Sequence, residues 1–222
     1  MITLAFDAST YEGDVALLDD GHVLAEQAAA MKGRESEQLM PAVAAVLRQA
    51  KLDLGVVERI VCGAGPGSFT SLRIAGGIAK GIASGLCIPL FAAPSLALLV
   101  AGADPRPGRY LGAIDALRGE FYVGLYDVDD DGCIEEVEPA RIVAAADVEV
   151  VAGEYRAHIV SPTDFGGHGG SRSRPRARGV VRLEELLAVR GPVDVRGWEP
   201  AYGRLAEAQV KWESAHGRPL PN

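Results

Sequence analysis

The stretch Val61–Gly85, VCGAGPGSFTSLRIAGGIAKGIASG, decides how the rest of the chain is read. Val61-Cys62 closes an apolar run that reads as a strand. Gly63-Ala64-Gly65-Pro66-Gly67 reads as a tight loop, and the spacing from Ser68 to about Leu86 as a helix. Strand, Gly-rich loop and helix are the parts of a phosphate cradle, but the familiar forms do not fit. A Walker A loop needs Gly-Lys, and here Lys80 precedes Gly81 inside the helix. A dinucleotide fingerprint needs G-x-G-x-x-G, and this loop reads G-x-G-P-G. A nucleophile elbow fails because Pro66 and Thr70 flank Ser68 where glycines belong. Two readings stay open: the helix start holds an anion, or Ser68 or Thr70 caps the helix and the glycines only turn the chain into it.

The helix itself is unusual. Gly77, Gly81 and Gly85 recur every fourth residue, as do Ala75, Ala79 and Ala83. Each interior Gly costs about 1 kcal/mol of helix stability relative to Ala, so a stripe of them implies a close neighbour. The preceding helix, LMPAVAAVLRQA, is apolar nearly all round, with Leu39, Val43, Val46 and Leu47 suited to a sheet and Met40 and Ala44 turned away. Either both helices are buried within this chain or they present a shared face to a partner. On the second reading the expected interface is Met40, Ala44, Ala75, Ala79 and Ala83, packing two helix pairs into a four-helix contact.

Outward from this stretch, ITLAFDAS reads as a buried strand ending at Asp7. DVALLDDGHVLAEQA reads as two strands around an Asp20-Gly21 turn, and IPLFAA as a fifth strand before a helix opened by Pro94. Beyond the linker GADPRPGR, the segments YLGAIDA, EFYVGLYDV and CIEEVEPARIV again read as three strands, with Asp115 ending the first as Asp7 ends its counterpart. The expectation is two α/β halves, 1–104 and 105–222, each opening with a β-meander. A third feature, FGGHGGSRSRPRARG, has no apolar anchor beyond Phe165 and reads as a mobile loop over 165–179, either solvated or an RNA-touching basic arm.

The 222 residues carry a net charge of −8 and a sequence pI near 5.1, which argues against gripping nucleic acid unaided. The cysteines, Cys62, Cys87 and Cys133, are far apart and odd in number, so neither a disulfide framework nor a zinc spacing follows. The N-terminus lacks the basic start of a signal peptide, and the longest apolar run, IPLFAAPSLALLVAGA, is broken by two prolines and too short for a span. A cytoplasmic protein with no membrane contact is expected.

GAGPGSFTSLRIAGGIAKGIA resembles the G-x-G-P-G-S-F-T-G-L-R-I-G…A-K-G-L-A signature of the bacterial TsaB family, within the superfamily of acetate and sugar kinases, heat-shock 70 and actin. Gly63, Gly65, Pro66, Gly67, Ser68, Phe69, Thr70 and Arg73 carry the match. Asp7-Ala8-Ser9-Thr10, Leu39-Met40-Pro41, Asp115 with Arg118, Glu120 and Tyr122, and Glu199-Pro200-Ala201-Tyr202 with Arg204 agree as well, whereas residues 140–197 match poorly. Ser71 and Ala75 stand where the signature has glycines.

The resemblance implies a duplicated ribonuclease H-like fold. It also implies a role in threonylcarbamoyl transfer to adenosine 37 of tRNAs that read codons beginning with A. The implied partners are a catalytic TsaD-like paralogue and a TsaE-like ATPase, with tRNA met only through the complex and a homodimer formed when the chain is alone.

The resemblance further implies a non-catalytic member, and the residues agree. The paralogue's H-x-x-x-H metal pair is replaced by Ser95 and Leu99, and His22, His158, His168 and His216 show no helical pairing. The first hairpin, DASTYEGDV, places Glu12 and Asp14 where phosphate would approach. Asp7, Ser9, Thr10 and Asp115 are then a vestigial phosphate region, and neither metal nor cofactor is expected. The competing readings, a small-molecule kinase or a glycoprotease-like hydrolase, require a metal, phosphate or nucleophile site that the residues do not offer.

Overall fold

A computed structural model describes residues 1–31, 37–165 and 170–203. In the first two strands, β1 (Ile2–Asp7) and β2 (Glu12–Asp19), residues alternate between two buried faces, and the edge strand β3 (His22–Ala30) buries only Ala25 and Ala29. Leu4, Phe6, Val15 and Leu17 enter one core, and Ala5, Ala16 and Leu18 enter another. Asp20 and Gly21 both take positive φ (43° and 79°), the mirror-image turn whose twist suits a two-residue hairpin. Helix α1 (Leu39–Ala50) follows, then β4 (Arg59–Gly63), α2 (Phe69–Leu86), β5 (Leu90–Ala93) and α3 (Ser95–Gly102).

The chain then repeats its plan with β6 (Gly108–Leu117), β7 (Glu120–Val128), β8 (Ile134–Ala144), α4 (Val148–Tyr155), β9 (His158–Ser161) and β10 (Ser171–Arg172), and α5 (Glu184–Arg190) is the last helix among the described residues. The sheets have the orders β3-β2-β1-β4-β5 and β10-β9-β6-β7-β8. Read from the meander outward they are one topology used twice, antiparallel within each meander and parallel beyond it. The duplicated ribonuclease H-like fold is therefore present.

Helices α1 and α2 cover one side of the first sheet, α1 over β2 and β3 and α2 over β4 and β1. Helix α3, apolar all round, fills the layer between the sheets, touching Ala5 and Val61 on one side and Tyr110 and Tyr126 on the other. Gly112 lets it approach, since a Cβ there would lie 3.1 Å from the Leu96 carbonyl oxygen. Helix α4 covers the far side of the second sheet with Val148, Val151 and Ala152. Among the described residues no helix is long and apolar enough to cross a membrane.

The arginine-rich stretch is corrected by the structure. Residues 166–169 of it lie outside the described residues, but the rest is built in. Ser171 and Arg172 pair with Val160 and Ser161, Ala177 is fully buried, and a 3-10 turn runs over Ala177–Arg182. Its charges find partners: Arg174 pairs with Glu12, Arg176 with Asp14, and Arg178 lies 3.6 Å from Glu26. The solvated-loop expectation counted the arginines and not the acids that meet them across the fold.

Candidate functional site

The glycine loop packs against the end of β1, where Asp7 is 1% exposed. Its Oδ1 accepts from the Ser9 amide (2.8 Å) and the Ser9 hydroxyl (2.7 Å), and its Oδ2 accepts from the Ser95 hydroxyl at 2.5 Å. Ser95 also accepts from the Gly65 amide at 2.9 Å, and its own amide donates to the Gly65 carbonyl at 3.0 Å. Burial pushes the Asp7 carboxyl above the usual range, while the hydrogen bonds from Ser95 and Ser9 pull it back. The Ser68 amide donates to the Ser9 carbonyl at 2.7 Å, which ties the first residue of the helix start to the hairpin, and no Ser68 side-chain cap forms. Instead the Ser68 hydroxyl meets that of Ser71 at 3.0 Å.

The glycines are required by space. A Cβ on Gly63 would lie 1.9 Å from Asp7 Oδ2, and one on Gly67 2.2 Å from the Ser9 carbonyl oxygen. Gly65 combines φ +89° with the Ala201 carbonyl 2.3 Å from where its Cβ would be, and the Gly65-Pro66 peptide is cis. Gly63→Ala is therefore expected to lower unfolding free energy by at least about 2 kcal/mol, whereas Gly81→Ala, at an open helical position, should raise it by about 0.5–1 kcal/mol. Urea unfolding of the two variants checks both signs.

The remaining vestigial-phosphate residues do not gather here. The Thr10 hydroxyl donates to the Glu12 carbonyl at 2.8 Å. Asp115 is exposed in the second sheet and accepts from the Leu117 amide at 2.7 Å, closing its own hairpin. Asp14 is fully buried and accepts from the Ala177 amide and from Arg176. The hairpin expected to repel phosphate with unpaired acids is filled by the chain's own donors. Ser95 and Ala177 are the contributors that sequence reading missed. Ser95 figured there only as a lost histidine, and nothing local marks Ala177.

The C-terminal motif returns to the same place. The Ala201 amide donates to the Ala64 carbonyl at 2.7 Å, Pro200 packs on Gly76, and the Lys80 ammonium donates to the Trp198 carbonyl at 2.9 Å. Tyr202 lies 4.6 Å from the Phe69 ring, whose other neighbour is the Arg73 guanidinium at 5.1 Å, and Tyr122 donates to the Tyr202 carbonyl at 3.4 Å. Arg204 lies outside the described residues.

The helical face is corrected. Ala75, Ala79 and Ala83 are 0%, 0% and 1% exposed and belong to the core under α1 and α2. Ser71 is buried as well, so neither it nor Ala75 governs how closely a second helix approaches from outside. The outward side of α2 is the other stripe, Gly77, Gly81 and Gly85, where an added Cβ would meet nothing within 4 Å. Half-buried Ile74 and Ile78 lie beside it. On α1, Met40 is 39% exposed and Ala44 half-buried, as expected, with Pro41 exposed alongside. The molecule thus has a sealed carboxylate on one side of its first sheet and a bare, small-residue helical surface on the other. Among the described residues no three His, Cys, Asp or Glu side chains group as a metal site would require.

The fold and this site place the chain among the proteins built on paired ribonuclease H-like halves. The family model described as TsaD, tRNA N6-adenosine threonylcarbamoyltransferase, matches residues 23–149. A Bacillus subtilis protein described as tRNA threonylcarbamoyladenosine biosynthesis protein TsaB is 34% identical over 96% of this chain and 98% of its own length. The Escherichia coli protein of the same description is 36% identical over 60% of this chain and 58% of its own. Among solved structures, YeaZ from Pseudomonas aeruginosa has a TM-score of 0.73 at 26% identity, covering 90% of this chain and 99% of that one. A second Pseudomonas aeruginosa structure, described as similar to peptidase YeaZ, has a TM-score of 0.76 at 28% identity over 91% and 99%. The chain belongs to the TsaB family.

Proposed function

We propose that the protein is the non-catalytic subunit of a tRNA-modifying assembly. It would support threonylcarbamoyl transfer to adenosine 37 of tRNAs reading codons that begin with A, bound to a TsaD-like catalytic partner and working with a TsaE-like ATPase. The names of its relatives support the pathway. The observation that carries the subunit's role is Asp7: its carboxylate is buried and bonded to Ser9 and Ser95 of its own chain, so its acceptor positions are directed to protein donors rather than to a metal or phosphate. A second observation supports the same reading, because Ala177 and Arg176 fill the first hairpin.

On this reading the chain's contribution is a surface. The face formed by Met40, Pro41 and Ala44 on α1 and by Ile74, Gly77, Ile78, Gly81 and Gly85 on α2 meets the partner, and a second copy of this chain when the partner is absent. Glycine at three successive turns removes the side chains that would hold a facing helix away. The protein then works in the cytoplasm and meets tRNA only through the assembly.

Light scattering tests this. The isolated chain should run as a dimer and convert to a heterodimer when the TsaD-like partner is titrated in. A chain that stays monomeric and ignores the partner would contradict the proposal.

A further inference from the structure

We propose that the groove between α5 and the β7–β8 hairpin is a docking site for a protein segment whose apolar side chains are flanked by lysine or arginine.

Helix α5 and the residue before it carry more apolar surface than their own core uses. Leu183 and Leu187, one turn apart, are buried in the core beside the second sheet. Leu186 and Val189, three positions apart, form a second ridge on the neighbouring side. Leu186 is half-buried, and Val189 is 86% exposed, the highest value among the described large apolar side chains. A single exposed valine would need no explanation, but this one continues a groove. The groove encloses about 480 Å³, and Val128 and Ile134, both buried and paired across the hairpin, also line it. That is room for two or three side chains of a partner.

The rim gives the charge of the occupant. Asp129, Glu135 and Glu185 border the groove and are exposed. The arginines nearby are already engaged: Arg190 pairs with Glu136, Arg109 with Asp127 at 2.7 Å, and Arg182 with Asp104 at 2.7 Å. Among the described residues no basic side chain lies within 4 Å of the three rim carboxylates. Cations on an incoming segment would answer them and speed its encounter. Phosphate groups would be repelled, and a neutral apolar ligand would leave the rim unmatched. The groove shares no residue with the α1–α2 face, so the two are tested separately.

Cys133 reports occupancy, because it too lines the groove and is half-buried. Burial, and then the carboxylates of Asp129, Glu185 and Asp131, push its thiol above the ordinary value, so alkylation is read in mildly alkaline solution. Cys62 is buried, and the exposed Cys87 is silenced by Cys87→Ser.

The test uses the full chain carrying Cys87→Ser and a short synthetic helical peptide of leucine and lysine. Saturating peptide should slow iodoacetamide alkylation of Cys133 several-fold. Glu135→Lys combined with Glu185→Lys, and separately Val189→Ser, should each weaken the peptide about tenfold. All three positions are exposed, so the variants keep the fold. A peptide with its leucines replaced by serine should bind as weakly to the unaltered groove. Equal binding to wild type and to the variants would be mere attraction to an acidic protein and would overturn the proposal. So would Cys133 alkylation that saturating peptide leaves unchanged. Protection of Cys133 by tRNA, or a changed sedimentation of the free chain on Val189→Ser, would assign the groove to RNA or to a second copy and overturn it as well.

Discussion

Gly81→Arg should leave a chain at least as stable as the wild type and weaken its binding to the TsaD-like partner at least a hundredfold. The two halves of that result have separate causes. A Cβ at position 81 meets nothing within 4 Å, so the new side chain enters open space. Loss of an interior helical glycine by itself stabilises by about 0.5–1 kcal/mol. At the contact the same side chain obstructs. A facing helix that packs onto bare backbone cannot do so over a guanidinium, and enclosing an unpaired charge costs several kcal/mol. A loss of about 3 kcal/mol is already more than a hundredfold in affinity. Thermal melts with a binding titration check both halves, and Gly77→Arg should behave alike. A variant that still binds within tenfold of wild type would place the interface elsewhere.

Ala79→Glu, two residues away, should have the opposite signature. Ala79 is fully buried in the core that α1 and α2 share with Leu4, Phe6 and Ile60. A glutamate there must overpack that core and bury a carboxylate among hydrocarbon side chains, or expel the helix. The expected loss is about 3–5 kcal/mol, most of the margin of an ordinary domain. Circular dichroism should show a melting point lowered by well over ten degrees and a broadened transition. A cooperative melt near the wild-type temperature would mean that the alanine stripe faces outward after all. The pair separates a folding face from a binding face within one turn of one helix.

Much of this fold is legible along the sequence because its signals are local. Alternating apolar residues in β1, Asp20-Gly21 between β2 and β3, and Pro94 before α3 each act on neighbouring backbone. The repeat of the meander is legible for the same reason. The orientation of α2 is harder, since both of its stripes are small residues two positions apart, and size alone does not say which is inside. The deciding residues are Leu72 and Ile82, which join Ala75, Ala79 and Ala83 on one side and carry the apolar area worth burying. The course of residues 173–178 was hidden differently. Arg176 and Asp14 are separated by 162 positions, and no local pattern marks that pairing. Composition alone read four arginines among glycines as solvated. Ser95 was equally silent: one hydroxyl after a proline becomes the partner of Asp7 only when β1 and α3 meet.

The most direct test of the account is threonylcarbamoyl transfer to tRNA in a reconstituted system of this chain, the TsaD-like partner and the TsaE-like ATPase, run with wild type and with Asp7→Asn. No product is expected from this chain alone, and the assembly should depend strongly on it. Asp7→Asn should retain activity in proportion to the folded, partner-bound fraction. Product from the isolated chain, or collapse of transfer with Asp7→Asn while the variant remains folded and bound, would contradict it.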